Sequence, residues 1–207
     1  VTLARPLIAT NNRRNFVMLA VLTALFAANV MTHLDALGVP FAAGWQRRGA
    51  LVAVDVVILL ILVIAGRVIP MFTRNATRSE AVRSVPALEV LTVLSMAALV
   101  IADATSRDAS AAPIVGAIAL VAGVVGASRA AQWETPKTFR HPLLWILHVG
   151  YFWAPIGLLL RGAGIFLASS GAMVPPSMST HALTAGSIGA LTLGMMARVA
   201  LGHTGRI

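Results

Sequence analysis

The stretch "HPLLWILHVGYFWAPIGLLLRG" (residues 141–162) decides the fold. From Leu143 to Leu160 it is apolar apart from His148 and carries no Asp, Glu, Lys or Arg. That is close to the ~20 residues a helix needs to cross a bilayer. A lipid-facing barrel strand would alternate apolar and polar side chains with a period of two, and this run does not. It reads as a transmembrane helix. It also raises a chemical question, because it opens on one histidine, His141, and holds a second, His148, seven residues further on. An ionisable side chain inside a membrane span is costly and usually faces the bundle interior.

Five further runs of the same kind surround it: Phe16–Leu34, Gly49–Ile69, Ala87–Ala102, Ala111–Ala127 and His181–Leu201. The third and fourth of the six spans are short and are expected to extend by a turn. The whole chain of 207 residues agrees with this pattern: 58% is hydrophobic, only 11% is charged, and the mean hydropathy is +0.85. A soluble domain averages about 25% charged residues, so this chain lacks the means to cover a soluble surface. The expected fold is all-α: a polytopic transmembrane helix bundle of about six spans, forming a single transmembrane domain over residues 1–207.

The charges predict its orientation. Sixteen Lys and Arg are present, and twelve fall at one set of span ends: Arg5, Arg13, Arg14, Arg67, Arg74, Arg78, Arg83, Arg129, Lys137, Arg140, Arg198 and Arg206. Arg47, Arg48, Arg107 and Arg161 fall at the other. Positive residues stay on the cytoplasmic side, so both termini are expected in the cytoplasm. The net charge of +9 reads as this bias. Because the basic residues are scattered over helix ends without interleaved aromatics, a nucleic-acid partner is not expected. The absence of Cys removes disulfides, iron–sulfur clusters and thiolate-ligated or covalently attached haem. Neither a phosphate-binding G-x-x-x-x-G-K-[ST] loop nor a G-x-S-x-G nucleophile turn occurs.

Two stripes of small residues suit close helix packing: Gly116, Ala119, Gly123, Gly126 and Ala130 on the fourth span, and Ala182, Ala185, Gly186 and Gly189 on the sixth. Pro155 interrupts the fifth span and frees a carbonyl one turn earlier, near Tyr151. Asp55 and Glu89 read as ion-pair partners of neighbouring arginines, or as proton carriers. Arg67 and Arg198 stand at inner ends, where a long side chain reaches the headgroups. Of the five histidines, His33 and His181 are expected near the outer face and His141 and His203 near the inner one. His148 lies ~9 Å deep. Neutral imidazole is the commonest metal ligand, so the set suggests metal or haem ligation by at least two of them. A bundle that stacks two haems between paired histidines ~13–14 residues apart is not supported, because His181 and His203 are ~33 Å apart along a helix.

Three stretches carry a family resemblance: "GRVIPMFTRN" (66–75), "HPLLWILHVGYFW" (141–153) and above all "HALTAGSIGALTLGMMARVALGHTGR" (181–206). They resemble the NnrS family, polytopic bacterial inner-membrane proteins linked to denitrification and nitric oxide stress and described as containing haem and copper. "ANVMTHL" (28–34) resembles the family's helix that ends in Asn29 and His33. The resemblance covers most of the chain and is weakest over 103–130. Family members are longer, and their His-rich "HEM"-type segment has no counterpart here, so the chain is expected to be an internal to C-terminal portion of a longer multi-span protein. The resemblance implies a multi-pass bacterial inner-membrane protein with lipid, haem, copper and nitric oxide as partners. As metal ligands it implies His148 and His181 first, then His33 and His203. Arg67 and Arg198 would meet haem propionates. Met195, on the His181 face if the span is a regular α-helix, is a candidate soft copper ligand. No reaction is assigned. The competing expectations are half of a proton-coupled transporter or channel, built on Asp55 and Glu89, and a purely structural bundle.

Overall fold

The computed structural model describes Arg5, Ala9 and residues 16–106, 109–168 and 170–204. Helices dominate, no strand occurs among the described residues, and six helices are long and apolar enough to cross a membrane. They are α1 (Phe16–Ala36), α2 (Trp45–Thr77), α3 (Pro86–Thr105), α4 (Ala112–Ala130), α5 (Pro142–Ala168) and a sixth span in three parts. That last span starts as α6 (Pro176–His181), passes through a π-helical segment (Ala182–Gly189) and continues as α7 (Ala190–Thr204). The third and fourth spans do extend beyond their apolar cores, to 20 and 19 residues. At 33 residues α2 is the longest. Its ~50 Å exceed the ~30 Å of hydrocarbon, more than an untilted span needs.

The chain divides into two units, residues 1–56 and 57–207. In the first, α1 and the opening turns of α2 form a helical hairpin. Gly38 (φ +72°) and Gly44 (φ +79°) supply the left-handed turns of its connection, which side chains with a Cβ resist. The Asp35 carboxylate accepts the backbone N–H of Gln46 at 2.8 Å and so caps the start of α2. A Cβ on Gly49 would stand 2.5 Å from the Ala28 carbonyl oxygen, so only glycine allows this approach of the two helices. Most of α1 is exposed, including Leu22, Phe26 and Val30.

In the second unit α5 is central, with α4 on one side and the sixth span on another. The small-residue stripe of α4 lies buried against α5. A Cβ on Gly123 would come within 2.7 Å of Leu159, and one on Gly116 within 3.2 Å of Ile165. From α5, Gly162 returns the contact against Leu120. Towards the sixth span the roles reverse: Gly150 and Gly157 of α5 accept Leu191 and Leu183. On the sixth span the expected stripe packs in part: Ala182 is buried and a Cβ on Gly186 would come within 2.7 Å of Trp153, while Ala185 is exposed. Such close packing substitutes for a hydrophobic driving force, which lipid does not supply between helices.

Candidate functional site

Within the second unit, the polar side chains of the bundle gather at the end where the α2–α3 and α4–α5 connections lie, called here the basic end. Arg129 closes α4 and is 2% exposed. Its guanidinium ion-pairs with Glu89 of α3, through Nε at 2.7 Å and through Nη2, and its Nη1 donates to the Leu62 carbonyl at 2.7 Å. Gly66 of α2 makes room for it, since a Cβ there would collide with the guanidinium. A buried charge is tolerable only when paired and hydrogen-bonded, and Arg129 is both.

His148 is fully buried and meets the same Trp133 ring that the Arg129 guanidinium approaches at 5.8 Å. Its Nε2 lies 2.8 Å from Thr73 Oγ1 of α2 and its Nδ1 2.9 Å from Thr135 Oγ1 of the α4–α5 connection. The hydroxyl proton of Thr73 goes to the Ile69 carbonyl at 2.8 Å. The Thr73 oxygen therefore accepts, which assigns the imidazole proton to Nε2 and leaves Nδ1 to accept from Thr135. Both nitrogens are engaged. The edge of Trp133 meets the His148 ring at 6.2 Å between centroids and the Tyr151 ring at 4.5 Å. Tyr151 donates to the Gly126 carbonyl at 3.4 Å, and the Trp133 indole N–H is buried with no acceptor among the described residues.

The connection that delivers Trp133 and Thr135 is itself pinned. Glu134 between them takes a left-handed backbone (φ 51°), uncommon for a residue with a Cβ. Its carboxylate accepts from Lys137 Nζ at 2.6 Å and from Ser79 Oγ. The hydrogen bonds from Lys137 and then from Ser79 hold its carboxyl below the ordinary carboxylate value. At the opposite end a second ion pair, Arg161 to Asp103 at 2.5–2.6 Å, ties α5 to α3.

His181 contrasts with His148. It is exposed at the end of α6, and its Nδ1 lies 2.6 Å from the Ser177 carbonyl. A carbonyl only accepts, so Nδ1 carries the proton, and the Nε2 lone pair has no partner among the described residues. A hydrogen bond from the other ring nitrogen to a carbonyl is what orients a ligating imidazole and fixes its tautomer. Eight residues of π-helix follow, with the buried Ser187 hydroxyl unpartnered among the described residues. The i→i+5 winding of a π segment alters the angle between successive side chains. The placement of Met195 beneath His181 assumed a regular α-helix and does not hold. Met195 instead lines an apolar cavity of about 290 Å³ with Ile61, Ala65, Leu147 and Leu191.

His33, in the first unit, is exposed near the end of α1. The side chain of His203 lies outside the described residues. Arg67 is exposed; Arg198 is half-buried with its guanidinium 3.9 Å over the Phe72 ring. Among the described residues no three of His, Asp and Glu come together as a metal site. Haem or copper therefore does not fit at His148, where each nitrogen already has a partner. It fits at His181 as to tautomer and access, with one protein donor.

Sequence reasoning anticipated that His148 is deep and that Glu89 meets an arginine. It missed Thr73, Thr135 and Trp133. Thr73 lies within the "GRVIPMFTRN" stretch, and an uncharged hydroxyl one turn after Ile69 was the available signal. A family model described as "NnrS: NnrS protein" matches residues 1–207, so the chain belongs to the NnrS family. No curated protein and no solved structure matches the chain.

Proposed function

From membership of the NnrS family we propose that the chain is a multi-pass protein of the bacterial inner membrane that holds haem or copper through His181 and acts in denitrification or the response to nitric oxide stress. The twelve basic residues at one set of span ends support a cytoplasmic location for both termini. The observation that carries the metal reading is the Nε2 of His181, unpartnered among the described residues and oriented by the hydrogen bond from Nδ1 to Ser177. Because His181 faces out of the described bundle, the remaining ligands come from beyond these residues. Bound haem iron or copper would supply a site for nitric oxide and a one-electron couple. The protein's part is to hold the imidazole in one tautomer on a packed helix. His148 serves the architecture, joining α2 to the α4–α5 connection. No turnover reaction is part of the proposal.

The transport reading is weaker at Glu89, one of its two carboxylates. A proton carrier must bind and release its proton, and the Glu89 carboxylate is clamped by two nitrogens of a buried guanidinium. The deciding experiment is the absorption spectrum of the detergent-purified protein with iron and copper analysis. A haem band or stoichiometric copper that is lost in His181→Ala and kept in His148→Gln is the expected result. A colourless, metal-free wild type sinks the metal reading; an unchanged spectrum in a well-expressed His181→Ala protein removes His181 from it.

A further inference from the structure

Between the last turn of α2 and the turn that enters α5 lies a cleft of about 390 Å³, lined by Ala76, Thr77, Pro136, Lys137, Arg140 and His141. It has a different character from the apolar cavity at Met195, and neither the His148 cluster nor the metal reading uses it. Both bordering helices are membrane spans, and the cleft lies where they end. This is the level of lipid headgroups.

Its charge is unbalanced. Lys137 is matched by Glu134 at 2.6 Å. Arg140 is exposed, and among the described residues no carboxylate meets it. His141 adds an exposed imidazole beside it. Guanidinium offers a planar fork of donors that matches two oxygens of a phosphate group. Phe139, next to Arg140 in the chain, is 62% exposed. A large apolar ring so exposed beside cationic side chains is at home where acyl chains meet headgroups. Free phosphate would have no use for that ring, and a lipid has.

We propose that this cleft binds the phosphodiester headgroup of an anionic phospholipid, with Arg140 as the principal contact and His141 and Thr77 at its sides. Basic pockets between the ends of transmembrane helices recognise such headgroups. Bound there, the lipid would bridge α2 and α5 next to the Glu134 connection that supplies Thr135 to His148.

The test is lipid retention by the detergent-purified full chain, read by native mass spectrometry. The probes are phosphatidylglycerol, phosphatidylcholine with the same acyl chains, and millimolar inorganic phosphate as competitor. Phosphatidylglycerol should be retained over phosphatidylcholine, and Arg140→Gln should weaken that preference by about fivefold, the effect of one basic residue at a charged membrane surface. His141→Gln should weaken it less. Arg83→Gln, an exposed arginine outside the cleft, should leave it unchanged. Arg140 is exposed, so its variant should fold and melt like the wild type. Equal retention of the two lipids, or an Arg140→Gln protein that keeps the full preference, overturns the proposal. So does complete displacement of phosphatidylglycerol by inorganic phosphate, which would make the cleft a site for the free ion.

Discussion

The two histidines at the heart of this molecule, His148 and His181, stand on neighbouring helices and meet opposite conditions. His148 is surrounded: two hydroxyls on its nitrogens and an indole against its ring. His181 has one hydrogen bond to its own helix and is otherwise open. Depth in the membrane had recommended His148 as the ligand. Depth, however, is also where a polar group must be satisfied within the protein, because lipid offers no partner. A buried imidazole with both nitrogens satisfied has no lone pair to give a metal. An exposed one, held in a single tautomer, has one. Burial and ligand capacity thus point in opposite directions here.

The comparison breaks most visibly at the ion pair. Arg129→Ala should lower stability by about 3 kcal/mol, toward the lower end of the range for a broken buried pair, since Glu89 remains partly exposed. Thermal unfolding in detergent measures this. A melting point unchanged from wild type would mean that the cluster at the basic end does not hold the bundle together. His148→Gln is next, with an expected cost of ~0.6–2 kcal/mol, the range for polar contacts between membrane helices. If the cost is similar in Thr135→Val and the two changes are not additive, both act through one hydrogen bond; additive costs would separate them.

The sixth span offers a change of the opposite sign. Ser187 carries a buried hydroxyl without a partner among the described residues. Ser187→Ala should therefore be neutral or stabilising by up to about 1 kcal/mol. A marked loss of stability would show that the hydroxyl is satisfied by a group outside the described residues. The smallest effect concerns acid. The Glu134 carboxyl is held below its ordinary value of 4.5, so its contribution is present above that value and is lost as the pH falls through the lowered one. The protection factors of residues 134–138, corrected for the slower intrinsic exchange in acid, should fall as the pH drops below 4.5 while those of α4 and α5 stay high. Equal loosening of the helices would show that the connection is not a separate element.

The sequence by itself determined the class of this protein. Six apolar runs in a chain with 11% charge leave no fold but membrane helices, because in hydrocarbon every backbone N–H must find its carbonyl within the segment. The small-residue stripe of α4 was legible for the same reason: helical spacing is local, and Gly116, Gly123 and Gly126 fall on one face whatever lies opposite. The motif at 181–206 was sufficient to point to the family. What only the tertiary structure decided is pairing. Arg129 meets Glu89 across 40 residues and His148 meets Thr73 across 75, and no periodicity within one helix states which helices become neighbours. The π segment was hidden too, since "ALTAGSIG" has the composition of any small-residue helix. Within it Gly186 packs against Trp153 and Leu183 against Gly157, contacts that only the neighbouring helix supplies. The imidazoles show the physical reason most plainly: their chemistry depends on which lone pair is left over, and that is fixed by partners that other helices bring.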